Sequence, residues 1–160
     1  MQFNLIDRIV DCQSGKHLTA VKNLTLGEEY LGDHFPGFPV MPGVLMLQTL
    51  VEASSWLLRS MEAYRFSIIA MREAKNVKYG TFMEPGKSMK VHVELLELGD
   101  RTAVFKGRGE SGGQSTVSGR LTLFRYNLAE KNQDLADLDR EIIESLKRRH
   151  RLLTLGAMKG

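Results

Sequence analysis

Residues 34–43 read His-Phe-Pro-Gly-Phe-Pro-Val-Met-Pro-Gly. Three prolines and two glycines in ten residues exclude a helix or an interior strand, since proline fixes φ and lacks an amide donor. The segment must be an irregular loop with a restricted backbone. The run that follows, GVLMLQTLVEASSWLLRSMEAY (43–64), has no proline, and no glycine after Gly43. It is apolar on nearly every side as far as Leu58, and such a helix belongs inside a protein. Pro42 suits a first helical turn, where a missing N–H is no loss. A stiff loop therefore feeds a buried helix.

Most of the remaining chain alternates apolar and polar residues. Phe3 to Val10 and Leu18 to Thr25 form one expected hairpin around Ser14-Gly15-Lys16. Phe66 to Met71 and Asn76 to Tyr79 read as two separate strands. Ser88 to Leu98, Thr102 to Glu110 and Ser115 to Tyr126 follow through the turns Gly99-Asp100 and Ser111-Gly112-Gly113. Strands joined by short turns imply an antiparallel sheet. The expectation is an α+β layer fold of about six strands around one helix.

Residues 128–160 differ. Leu135, Leu138, Ile142, Leu146 and Leu153 recur at helical spacing. Acidic residues fill the first half of that stretch and Lys147, Arg148, Arg149 and Arg151 the second, an order that complements the helix dipole. We divide the chain into a domain at 1–127 and a helical extension at 128–160 that packs on its own domain or on a neighbour.

Composition narrows the function classes. The single cysteine, Cys12, allows no internal disulfide and no cysteine-based zinc site. No apolar run is long enough to span a membrane, and the first residues do not resemble a signal peptide. These features point to a cytoplasmic protein. The net charge of +3 is small, and its one dense basic cluster, 147–151, has no aromatic residues interleaved. Nucleic acid is not the expected partner. No phosphate-binding loop, dinucleotide fingerprint or metal-ligand spacing is present, so neither a cofactor nor a metal is expected.

The chemistry concentrates at the loop and the helix. His34 can accept or donate a proton near neutral pH. The helix start at Gly43 offers free amides and a positive dipole end, which suit a polarised carbonyl. Gln48 and Glu52 lie four apart on one face of an apolar helix. They either serve an acid–base site or satisfy backbone groups and subunit contacts. His17, His92 and His150 have no constellation around them in sequence, and His92 is expected to be exposed.

The run His34-Phe35-Pro36-Gly37-Phe38-Pro39-Val40-Met41-Pro42-Gly43-Val44-Leu45 resembles the HFPG-x-P-x-x-PGV-L signature of the β-hydroxyacyl-acyl-carrier-protein dehydratases. FNLIDRIVD (3–11), GKHLTAVKNLT (15–25) and AKNVKYGTFMEPGK (74–87) are similar to further family segments, so the resemblance covers about residues 3–126. It implies a hot-dog fold, an antiparallel sheet wrapped around a central helix. It implies dehydration of (3R)-3-hydroxyacyl thioesters to trans-2-enoyl thioesters on acyl carrier protein, in fatty acid biosynthesis, without a cofactor. It also implies a homodimer, often assembled into a trimer of dimers, with His from one subunit meeting an acid from the other. By match, His34 is the catalytic histidine and Gly43 supplies the carbonyl-binding amide. Phe35, Gly37, Phe38, Pro42 and Val44 fall at substrate-binding positions. Arg72, Lys75 and Lys78 form a candidate dock for the acidic carrier protein.

Two departures stand out. Gln48 occupies the position of the family's acid, and Glu52 the position of its glutamine. Glutamine has no proton to give, and general acid help is worth about 10²–10⁴ in rate. The chain also begins at the family's first strand, and the tail at 128–160 is expected to cover the surface thus exposed. The expected function is a 3-hydroxyacyl thioester dehydratase using His34 with Gln48 or Glu52. The alternative is a non-catalytic subunit that binds acyl carrier protein substrates or pairs with an active paralogue.

Overall fold

The structure is a computed structural model that describes residues 4–155. Strands β1 (Arg8–Gln13), β2 (His17–Asn23), β3 (Ile68–Tyr79), β4 (Ser88–Leu98), β5 (Thr102–Ser111) and β6 (Gln114–Tyr126) form one antiparallel sheet in the order β1-β2-β4-β5-β6-β3. Helix α1 (Gly43–Met61) packs on one face of it. The fold is the α+β hot-dog arrangement.

Alternation decides the faces. Met89, Val91 and Val93 of β4, Ala103 and Phe105 of β5, and Val117, Leu121 and Leu123 of β6 are buried beside Leu50, Ala53, Leu57 and Leu58 of α1. Gly107 lies in this inner layer, where a Cβ would come within 3.2 Å of Leu50. The helix approaches the sheet closely there. At the far end, the buried Arg59 guanidinium donates to the Phe66 and Ser67 carbonyls at 3.0 and 3.4 Å. Burial lowers its pKa to about 10.

Three expectations change. The first strand begins at Arg8, after a non-strand stretch in which Leu5 and Ile6 are buried. The two expected strands between 66 and 79 are one twelve-residue strand, β3. Irregularities between Met71 and Glu73, and between Lys75 and Lys78, break its alternation, and Asn76 adopts a positive φ of 54°. Pro42 stands one residue ahead of the helix, in extended conformation.

The tail forms two short turns of 3-10 helix and then α2 (Ala136–Thr154). Asp139 anchors it. Its carboxylate accepts from Ser67 Oγ at 2.5 Å and from the Leu128 and Ala129 amides, each at 2.9 Å. Desolvation opposes the charged carboxylate, but these three donors together hold its pKa below the ordinary value. Leu153 is buried and Leu146 packs on the core, whereas Leu138 stays exposed. His150 stacks on Trp56 of α1, with ring centroids 5.4 Å apart, and hydrogen-bonds the Tyr64 hydroxyl. No described helix is long and apolar enough to cross a membrane.

Candidate active site

The proline-rich loop closes on itself. Phe35 and Phe38 exchange backbone hydrogen bonds at 3.1 and 2.9 Å, and the Val40 amide donates to the His34 carbonyl at 3.0 Å. The prolines between them have no donors to place, so the few amides present carry the loop. Beyond it, the Met41 amide bonds the Met83 carbonyl at 2.9 Å, tying the loop to the segment after β3.

This frame orients His34. Its Nδ1 lies 2.9 Å from the Val40 carbonyl oxygen. A carbonyl only accepts, so Nδ1 carries the proton and Nε2 of the neutral ring is left with a lone pair. The Phe35 ring stacks on the imidazole at a centroid distance of 4.2 Å. The ring is thus held in one tautomer with its basic nitrogen free for a substrate.

A few residues on, α1 begins without a side-chain cap. The Leu45 and Met46 amides turn back to the Pro42 carbonyl. Among the described residues, the Gly43 and Val44 amides have no acceptor. The positive end of the helix dipole and two free donors suit a carbonyl oxygen that gains negative charge. Gly43 lies close under Tyr79. A Cβ there would stand 3.0 Å from the Tyr79 ring.

Around these groups lies an apolar collar. Phe35, Phe38, Val44, Tyr79 and Phe82 are each about half exposed or more. Phe38 and Phe82 meet edge to face at 5.9 Å. So many exposed large apolar side chains at one place mark a binding surface. Tyr79 and Phe82 were not among the expected site residues. Their signal was the aromatic pair flanking Gly80-Thr81 just before the Pro85 turn.

Gln48 and Glu52 part company. Gln48 is exposed, and its side chain makes no hydrogen bond among the described residues. Glu52 is mostly covered, and both its oxygens face the Leu5 amide, at 3.3 and 3.1 Å. Desolvation raises its pKa, partly offset by the backbone amides of Leu5 and Ile6 and by the charges of Arg149 and Lys22. The carboxylate is thus occupied in holding the segment before β1.

Arg72, Lys75 and Lys78 are exposed on β3, an edge strand. Arg72 leans over the Phe124 ring at 5.6 Å, and Lys75 lies 3.5 Å from Glu73. Among the described residues, no group of three or more His, Cys, Asp or Glu side chains is arranged to hold a metal ion. The histidines that lacked a constellation in sequence have neighbours in space. The His17 and His92 rings are 5.4 Å apart on the outer sheet face, and His92 bonds Thr19.

Comparison with known proteins places this arrangement. Residues 1–120 match the model of the FabA-like domain. A 3-hydroxyacyl-[acyl-carrier-protein] dehydratase FabZ of Janthinobacterium sp. is 33% identical over 120 residues, covering 73% of this chain and 77% of that protein. The FabZ of Clostridium kluyveri is 31% identical over 130 residues, covering 81% and 88%. Among solved structures, the dehydratase heterocomplex ApeI:P from Xenorhabdus doucetiae superposes with a TM-score of 0.64 at 17% identity, covering 83% of this chain and 90% of that one. A hypothetical thioesterase from Streptococcus pneumoniae superposes at 0.54 and 14% identity, covering 74% and 84%, so the fold alone does not choose the chemistry. The family match, the FabZ identities and the His34 loop converge: the chain belongs to the FabA-like dehydratase family.

Proposed function

We propose that the protein interconverts 3-hydroxyacyl and trans-2-enoyl thioesters carried on acyl carrier protein, with His34 as the base. The observation that carries this reading is the fixed tautomer of His34 in the same loop that ends at the two free amides of α1. The thioester carbonyl accepts from the Gly43 amide, which acidifies the C2 proton. Nε2 of His34 removes that proton, the C2–H pair becomes the C2=C3 bond, and the C3–O bond breaks. The leaving oxygen takes up a proton and departs as water. Phe35, Phe38 and Val44 line the acyl path, and Gly37 and Pro42 shape the loop around it.

That last proton has no donor at Gln48, and Glu52 is engaged by Leu5. Two readings supply it. The His34 imidazolium returns its own proton to the hydroxyl, in a dimer of identical chains. Alternatively, this chain pairs with a different subunit that brings a carboxylic acid to His34. The exposed, unbonded Gln48 favours the second, and the Xenorhabdus relative is itself described as a heterocomplex. In either assembly the exposed stripe of Val44 and Gln48 and the free edge of β3 form the contact. Arg72, Lys75 and Lys78 receive the acidic carrier protein.

The test is hydration of crotonyl thioester, on carrier protein and on a small thiol. We expect wild-type turnover that falls by about 10²–10⁴ in His34→Ala without loss of folding. Gln48→Glu should raise the rate. A silent wild type activated by Gln48→Glu, or by an acid-bearing paralogue, selects the mixed complex. Turnover unchanged in His34→Ala removes the dehydratase reading.

A further inference from the structure

The face of the sheet turned away from α1 carries a feature that the proton transfers at His34 do not use and that reaches past Lys75 and Lys78, the edge cations assigned above to the carrier protein, onto β5 and β6. The ladder registers place Glu94 opposite Lys106, Lys106 opposite Arg120, and Arg120 opposite Lys75. Three cations therefore stand side by side on β5, β6 and β3. Like charges directly opposed across strands destabilise a sheet. The adjacent row places Arg108 opposite Ser118, and Ser118 opposite Lys78. Between the two rows lies an open cavity of about 480 Å³. Its lining holds four cations, Lys78, Lys106, Arg108 and Arg120, against one carboxylate, Glu110.

The partners of these cations are few. Lys75 meets Glu73 at 3.5 Å, Arg108 meets Glu110 at 3.4 Å, and Arg120 meets Glu97 at 3.6 Å, all at exposed positions. Pairs of that kind contribute little. Lys78 and Lys106 have no ion-pair partner among the described residues. The irregularity between Lys75 and Lys78 lies on the β3 side of the recess, and Ser115 and Ser118 line it together with the cations. Repulsion that the fold tolerates on three neighbouring strands is relieved when an anion enters.

We propose that this outer-face recess binds a phosphate ester of roughly nucleotide size. The volume suits a small molecule rather than a macromolecular surface. Converging lysines, arginines and hydroxyls suit phosphate oxygens, which accept several charge-assisted hydrogen bonds at once. No large aromatic side chain lines the cavity, so the phosphate and not a stacked ring supplies the recognition. The site does not depend on the reaction assigned to His34.

Calorimetry with inorganic pyrophosphate and with ADP tests it on the full chain, alongside vesicles containing phosphatidic acid and soluble poly-glutamate. We expect pyrophosphate and ADP to bind at low salt and to weaken as the screening length falls from ~10 Å at 0.1 M to ~3 Å at 1 M. The double variant Lys106→Ser, Arg120→Ser should lose ~10-fold or more in affinity. Its Tm should hold or rise, which separates a lost site from a lost fold. Arg148→Ser, on α2, should bind as wild type does. Binding to phosphatidic acid vesicles that the double variant also loses supports the same phosphate chemistry with a lipid as its source. Capture of poly-glutamate without pyrophosphate or ADP overturns the proposal in favour of an acidic protein partner. No binding by any probe, or binding that the double variant keeps, overturns it in favour of a solvated face.

Discussion

From Thr49 to Arg59, α1 is buried on almost every side, and its hydroxyl and guanidinium groups are satisfied there. Thr49, Ser54 and Ser55 each donate to the carbonyl four residues back at 2.8 Å, and Arg59 holds two carbonyls after the helix. Between Gly43 and Gln48 the same helix leaves two amides without acceptors, Val44 70% exposed and Gln48 unbonded. The second half uses its residues to hold the sheet. The first half leaves its donors and apolar surface available, and the proline-rich loop ends there. A buried polar group without a partner is costly, so polar groups left free at an exposed helix start are affordable only because water, substrate or a second subunit can reach them.

Substitutions along the helix test this contrast. Leu57 is fully buried. Leu57→Ala should cost about 2–5 kcal/mol of stability, measured by denaturant unfolding, whereas Val44→Ala should stay within about 0.5 kcal/mol. Equal costs would mean that the two halves do not differ. Glu52 stands at the boundary, and its raised pKa gives a signed expectation. Below its unfolded pKa the group is neutral in both states and burial of charge costs nothing. As pH rises through the folded pKa, the native state must ionise a desolvated carboxyl and loses stability relative to a neutral side chain. The Tm of Glu52→Gln should therefore gain on wild type between pH 4 and pH 7. A decline over that window would show that Lys22 and Arg149 outweigh desolvation. The smallest effect belongs to Gln48→Glu. Its Tm should match wild type to within what about 0.5 kcal/mol allows, so any change in turnover from this exchange reports chemistry rather than folding.

The sequence carried the parts of this molecule that depend on neighbours along the chain. Proline and glycine at 34–43 announce the loop, the long apolar run announces α1, and Gly99 and Gly112-Gly113 announce the hairpins. The setting of His34 is local as well, since its partner, Val40, is six residues away within the same loop. Other features depend on residues far apart. Glu52 finds Leu5 across 47 positions, and His92 finds Thr19 across 73. Periodicity tells which face a residue occupies, not what stands opposite it. β3 was read as two strands because its irregularities near Arg72 and Asn76 interrupt the period of two, although the backbone continues through both. The row of cations was invisible for the same reason: Lys75, Lys106 and Arg120 come from three strands.

The stacking of Trp56 on His150 has an optical consequence. Trp56 is the only tryptophan in the chain, it is 3% exposed, and the ring stacked on it belongs to α2. With excitation selective for tryptophan, emission therefore comes from one indole at the seam between α1 and α2. Any movement of α2 away from α1 should wet that indole and shift its emission to the red. The protein thus carries a built-in lamp for the attachment of its own tail, readable without any label.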